Sequence, residues 1–417
     1  MLDPENPVPR TVTFIRHAET TANAQRRWQG SSNAPFTDTG QDQIARLRAR
    51  FADHRPKRLI ASDLPRTMHT SQALGNAVPD PEWREFDVGA WEGLTSDEVD
   101  IRFPGELARL FSGDDFAIGG AERMSVFRSR IDRAFDDLVG DLGDGDEAVV
   151  VTHGGVIWSV VNKVLGAPEG AVPVIPSHNT AITRVRVFDD GGLQLSVFND
   201  ASHLDTVPRQ FGPSGTHVTL FRHGQTEGNV RGRWQGRSDS ALTELGLVQV
   251  ANASAIAPGI DALYSSPLGR TMHTARIISE RAGVPAVAHD GLVEMSFGAW
   301  EDMTSAEAAA QHPDLFEALY GRGEDHPRGG DGESFTGAGE RLAETISWLV
   351  QQNGASSLGA VSHGAVIRAY AVNIVGLSFA DRDRFPVPRN SSMTGVIYTE
   401  GRPVLASYNV APHMDHS

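Results

Sequence analysis

The chain has 417 residues, with 40% hydrophobic and 22% charged residues, no cysteine and a formal net charge of −16. These proportions suit globular protein in two or three domains and exclude disulfides, thiolate chemistry and cysteine-based metal sites. Lys57 and Lys163 are the only lysines, so no basic face for nucleic acid is expected, and any phosphate site must be a local arginine pocket in an unfavourable field.

The opening Met1-Leu2-Asp3-Pro4-Glu5-Asn6-Pro7 lacks the basic-then-apolar order of a secretion signal, and no apolar run approaches the ~20 residues of a membrane span. A cytoplasmic location away from membranes is expected. The first predicted strand, 11–15, runs into Arg16-His17-Ala18-Glu19-Thr20. A helix near 40–51 follows, with a threonine cap at Thr37. Next come a strand at 58–62 and a helix opened by Pro65 that carries Arg66 in its first turn. Later, Ala148 to Thr152 (AVVVT) predicts a strand ending at His153, and a helix from Val156 to Leu165. Ala181 to Phe188 and Leu193 to Asn199 flank a turn at 189–192 and predict a hairpin.

The chain then repeats itself, with corresponding residues offset by 204 to 211 positions. Arg222-His223-Gly224-Gln225-Thr226 answers the first motif, and Trp234-Gln235-Gly236 answers Trp28-Gln29-Gly30. Arg270-Thr271-Met272-His273-Thr274 copies 66–70, and Gly298-Ala299-Trp300-Glu301 copies 89–92. Ser362-His363-Gly364 answers Thr152-His153-Gly154, and 396–399 with 403–409 repeats the hairpin. A period this long means duplicated domains, predicted at 10–205 and 216–415 with a linker at 206–215. Alternating strands and helices predict an α/β fold in each half, a mostly parallel sheet flanked by helices with a C-terminal hairpin.

Each half therefore gathers two arginines and two histidines at the C-terminal rim of one sheet, where open α/β sheets place ligands. Guanidinium groups offer paired donors for phosphate oxygens, and an imidazole beside them can act as a nucleophile. On these residues the chain resembles the histidine phosphatase (phosphoglycerate mutase-like) superfamily, once per half. The motifs are R-H-G-x-T-x-x-N, S-x-x-x-R, a glutamate before G-x-W-E-G and a late H-G. The resemblance implies His17 and His223 as phosphate-accepting nucleophiles, with Glu85 and Glu294 as proton donors. Arg16, Asn23, Arg66 and His153, with Arg222, Asn229, Arg270 and His363, would bind the phosphate.

The implied activity is hydrolysis of small phosphorylated metabolites through phosphohistidine in both halves, releasing inorganic phosphate without cofactor or metal. A glutamate that donates a proton near neutrality needs a raised pKa. The alternatives are mutase-type transfer, or one active domain beside a regulatory one. Mutases commonly carry Arg-His-Tyr after the acid, whereas here Phe86-Asp87-Val88 and Met295-Ser296-Phe297 follow. Oligomeric state is left open. Plainer roles are expected elsewhere: packing for His69 and His273, hydrogen bonding for His203 and His413, core or rim for Trp91 and Trp300, and pocket shaping for Asn179 and Asn390. The halves differ at Ala18, where the motif has glycine, at Arg123, where the second half keeps Ser334, and between 111–118 and 321–328. These differences predict unlike substrate entrances.

Overall fold

The computed structural model describes residues 8–166, 173–204, 215–354 and 357–412. Asp205, His413 and all of the predicted linker except Gly215 lie outside the described residues. The chain divides into two compact units, one drawn mainly from each half.

The first unit contains β1 (Arg10–Arg16), α1 (Asp38–Arg50), β2 (Arg58–Ala61), α2 (Pro65–Ser71), β3 (Val78–Pro79), α3 (Met124–Gly140), β4 (Glu147–Thr152), α4 (Gly154–Leu165), β5 (Ile182–Val187) and β6 (Leu193–Asp200). Its strands lie in the order β3-β2-β4-β1-β5-β6. The first four are mutually parallel, and β5 joins β1 antiparallel. The second unit repeats this with β7 (Thr216–Arg222), α5 (Glu244–Ile256), β8 (Ala262–Ser265), α6 (Gly269–Ala282), β9 (Ala286–Ala288), α7 (Phe335–Asn353), β10 (Ser357–Ser362), α8 (Gly364–Ile374), β11 (Met393–Thr399) and β12 (Arg402–Val410). Its order is β9-β8-β10-β7-β11-β12.

The period of a strand explains why helices cover both faces. Successive side chains of β1 point to opposite sides. Ile15 packs with Ile44, Leu47 and Phe51 of the α1 segment. Phe14, on the other face, meets Phe135 of α3 at 6.3 Å and Trp83 at 5.7 Å. Both Phe14 and Ile15 are fully buried, each contributing roughly 1.5–3 kcal/mol of transfer free energy.

Local signals set the helix starts. The Thr37 side chain accepts from the Gly40 N–H, and Thr243 does the same for Gly246. Pro65 occupies the first turn of α2, where no backbone donor is needed. α3, α7 and the short strands β3 and β9 are not among the elements predicted from sequence. β1 and β4 run in register, Arg16 opposite Thr152, so the residues after them emerge side by side at one rim.

Candidate active site

His17 leaves β1 only 3% exposed. Its Nδ1 lies 2.8 Å from the Ala18 carbonyl oxygen, which can only accept, so Nδ1 carries the proton. Nε2 keeps its lone pair and has no hydrogen-bond partner among the described residues. Burial, with Arg66 and Arg16 nearby, holds the imidazole well below its ordinary pKa, so it stays neutral. His223 repeats this, with Nδ1 2.7 Å from the Gly224 carbonyl and its pKa depressed by burial, Arg222 and Arg270. The loop is pinned behind the ring: the N–H groups of Ala18 and Gly224 reach Thr70 Oγ1 and Thr274 Oγ1. Ala18 thus keeps the geometry of the glycine it replaces, and neither position requires a positive φ.

The arginines are buried and aimed by backbone carbonyls. Arg66, 1% exposed, donates to Gly30 O at 2.7 Å and Ser32 O at 2.9 Å. Arg16 donates to Ser177 O at 2.5 Å. Burial lowers both guanidinium groups to about 10, and for Arg16 the proximity of Arg66 adds to the effect. The loop presenting those carbonyls is itself held by Glu92, which accepts from the N–H groups of Gly30 and Ser31, both at 3.1 Å, and from Ser32 Oγ at 2.5 Å. Glu301 supports the second loop through the N–H groups of Arg237 and Ser238. Glu92→Ala should therefore displace Arg66. For the phosphate-releasing activity that the sequence resemblance implies, this change in a His223→Ala background should lower first-domain kcat/KM about tenfold.

His153 stands beside His17, ring centroids 5.3 Å apart at 61°; His363 lies 5.2 Å from His223 at 64°. Arg270 Nε donates to His363 Nδ1 at 3.2 Å, so His363 Nε2 carries the proton toward Ser266 Oγ at 2.8 Å. His153 Nε2 makes the matching contact to Ser62 Oγ at 2.9 Å. In the first half, however, Arg66 Nε and His153 Nδ1 are both without partners among the described residues. Arg270 is also tied to Asp239 at 3.0 Å, a residue matched by Asn33 in the first half. The second pocket is the more firmly braced.

Glu85 and Glu294 lie against the N-termini of α4 and α8, where exposed N–H groups and the helix dipole attract a carboxylate. Glu85 Oε2 accepts from Gly155 N at 3.0 Å and Oε1 from Phe86 N at 3.2 Å. Burial raises its pKa, opposed by those N–H groups and by Arg66 and Arg16. Glu294 accepts from the N–H groups of Ala365, Val366 and Met295 at 2.8–3.0 Å. A Cβ on Gly155 would sit 2.2 Å from Glu85 Oε1, yet the second half has Ala365 there, so the two carboxylates are seated differently.

Asn23 and Asn229 cap the short turns after the histidine loops, accepting from the backbone N–H of Thr20 and Thr226. Asn179 donates to both His17 O and Asn23 Oδ1, and Asn390 to His223 O and Asn229 Oδ1. Each named site residue thus lies in its own half's cluster. His69 is exposed, edge-on to Phe36 at 5.0 Å, and His203 pairs with Thr180 Oγ1 at 3.0 Å. Trp91 and Trp300 are wholly buried. Arg123 lies at the surface, donating to the Asp115 carbonyl. Ser62, Ser266, Glu92 and Glu301 were not singled out as site residues, although all four stand within the motif segments. Among the described residues no group of three or more His, Asp or Glu could hold a metal, and no helix is long and apolar enough to cross a membrane.

A family model described as histidine phosphatase superfamily (branch 1) matches residues 12–201 and again 218–411. A protein named probable phosphoglycerate mutase GpmB, from Enterobacter sp. (strain 638), is 31% identical over 204 residues, covering 46% of this chain and 94% of its own. Phosphoglycerate mutase-like protein 4 of Arabidopsis thaliana is 30% identical over 204 residues, 46% of this chain and 86% of its own. Among solved structures, a phosphoserine phosphatase from Entamoeba histolytica is 32% identical, covers 48% of this chain and 99% of its own, and has a TM-score of 0.44. With both halves matched, the chain belongs to the histidine phosphatase superfamily and carries its domain in tandem.

Proposed function

We propose that this chain hydrolyses small phosphate monoesters through a phosphohistidine in each domain, the domains spanning 10–205 and 216–415. The observation that carries this reading is the neutral imidazole of His17 and of His223, its Nε2 unengaged among the described residues and two buried arginines close by. Nε2 attacks phosphorus and the ester P–O bond breaks. Arg16 and Arg66, or Arg222 and Arg270, balance the charge on the equatorial oxygens. Glu85 or Glu294 gives a proton to the leaving oxygen. It then takes one from the water that cleaves the N–P bond, returning the imidazole and releasing inorganic phosphate.

In this scheme the arginines supply the positive charge that a metal provides elsewhere. A second reading, mutase-type transfer, is favoured by the names of the relatives, and Phe86-Asp87-Val88 and Met295-Ser296-Phe297 stand against it. A panel of phosphate esters tests both, using wild type and the single His17→Ala and His223→Ala variants. Phosphate release by each single variant supports two working hydrolytic sites. Loss of all release in either one would leave a single active domain. Phosphoryl transfer between carbon positions without release would favour the mutase.

A further inference from the structure

The two sites share their inner residues and differ in what surrounds them. In the second domain a single cleft of about 310 Å³ is lined by His223 and Glu294 together with Arg328, Arg368 and Arg382. Arg328 is 1% exposed; it donates to His326 O at 2.6 Å and pairs with Asp325 at 3.2 Å, and its Nε has no partner among the described residues. Arg382 is also buried, its guanidinium 4.0 Å from the Phe379 ring and 5.5 Å from Tyr320. Arg328 shares the Phe379 ring at 4.7 Å. Arg368 donates to the carbonyls of Arg382 and Phe385 and pairs with Asp383 at 2.7 Å, which also lies 3.5 Å from Arg382. Three guanidinium groups thus face two carboxylates, Asp325 and Asp383. Burial, and repulsion from Arg368 and Arg328, hold Arg382 below the ordinary arginine pKa.

Among the described residues the first domain does not repeat this trio of arginines. Ile118-Gly119-Gly120 and Arg328-Gly329-Gly330 form the same single turn, with the middle glycine at φ 54° and 63°. A Cβ on Gly119 would meet Val88 O at 2.1 Å, and one on Gly329 would meet Phe297 O at 2.5 Å, so the two turns dock alike. Buried Ile118 therefore stands where Arg328 stands. Trp158, five residues after His153, holds the place of Arg368, five after His363, and Arg128 lies 5.1 Å over its ring. By sequence, Gly166 to Asn179 contains no arginine, whereas Gly376 to Asn390 contains Arg382, Arg384 and Arg389.

We propose, building on the phosphatase reading, that the second domain selects esters whose alcohol carries a further anionic group, a carboxylate or a second phosphate, seated at Arg328 and Arg382. The first domain takes esters without that requirement. A buried guanidinium with an unused donor gains most from an anion in a confined cleft, where charge-assisted hydrogen bonds are strongest.

The test uses the full-length His17→Ala chain, in which turnover reports the second site. Two matched pairs are compared by kcat/KM: 2-phosphoglycolate against ethyl phosphate, and 1,3-propanediol bisphosphate against propyl phosphate. The anionic member of at least one pair is expected to be preferred about tenfold or more, and the larger ratio identifies carboxylate or phosphate. Arg382→Gln should draw that ratio toward one through KM, and Arg382→Lys should restore part of it. The His223→Ala chain should show ratios near one. Equal kcat/KM within both pairs, with turnover intact, would overturn the proposal alone. Hydrolysis of none of the four esters would remove the phosphatase reading and this inference with it.

Discussion

Replacing His17 and His223 together is expected to abolish phosphate release, lowering kcat by about 10⁴-fold or more, the scale seen when a covalent nucleophile is removed. Each single replacement should leave the other domain's share. Each proposed nucleophile sits at the end of its own half's strand, with that half's arginines close by. Each loop keeps anchors besides the ring: Thr70 and Thr274 accept from the adjoining N–H groups through their hydroxyls, and Asn179 and Asn390 donate to the histidine carbonyls. Circular dichroism and thermal melting of the double variant should therefore match wild type. Residual release from the double variant above about 1% of wild type would mean that another group attacks phosphorus.

The second large effect concerns the carboxylates. Glu85→Gln in a His223→Ala background, and Glu294→Gln in a His17→Ala background, should each lower kcat for alkyl phosphates by about 10²–10⁴-fold, the usual worth of a positioned acid. The loss should be much smaller for p-nitrophenyl phosphate, whose leaving group needs no proton. For the first domain the sign of the pH dependence follows from burial, which raises the Glu85 pKa. Its acid form persists above the ordinary carboxylate range, so proton donation is present below that raised pKa and is lost as pH climbs through it. First-domain kcat should fall on the alkaline side with one deprotonation, and glutamine should flatten that fall. The histidine contributes no opposing limb near neutrality, since His17 is held neutral well below pH 6.5. A profile unchanged by Glu85→Gln would assign the proton to another group.

Much of this architecture was legible from residue patterns. The apolar runs before Arg16 and Arg222 identify the central strands, and identical letters at 66–70 and 270–274 expose the duplication before any coordinates. The rim of arginine and histidine follows from parallel strands ending together. Other features were illegible for physical reasons. The helix α3 carries Met124, Phe127, Ile131, Phe135 and Leu138 at helical spacing, but it starts beyond the divergent segment around Arg123, where the halves cannot be matched letter by letter. Arg123 itself stays at the surface, whereas Ile118 and Arg328, the last residues of the divergent segments 111–118 and 321–328, stand where the two clefts are proposed to differ. The support role of Glu92 is hidden because its partners are backbone N–H groups roughly 60 residues away, which leave no mark on side-chain identity. Ser62 is the serine of the S-x-x-x-R motif, but its contact with His153 is made across the rim between residues 91 apart in sequence.

The most direct measurement is rapid quenching of the enzyme during turnover of a ³²P-labelled ester, followed by peptide mapping of label that survives alkali and is lost in acid. Label is expected on His17 in the His223→Ala chain, on His223 in the His17→Ala chain, and on neither in the double variant. Steady turnover with no histidine label in any of these chains, or with label on another residue, would contradict it.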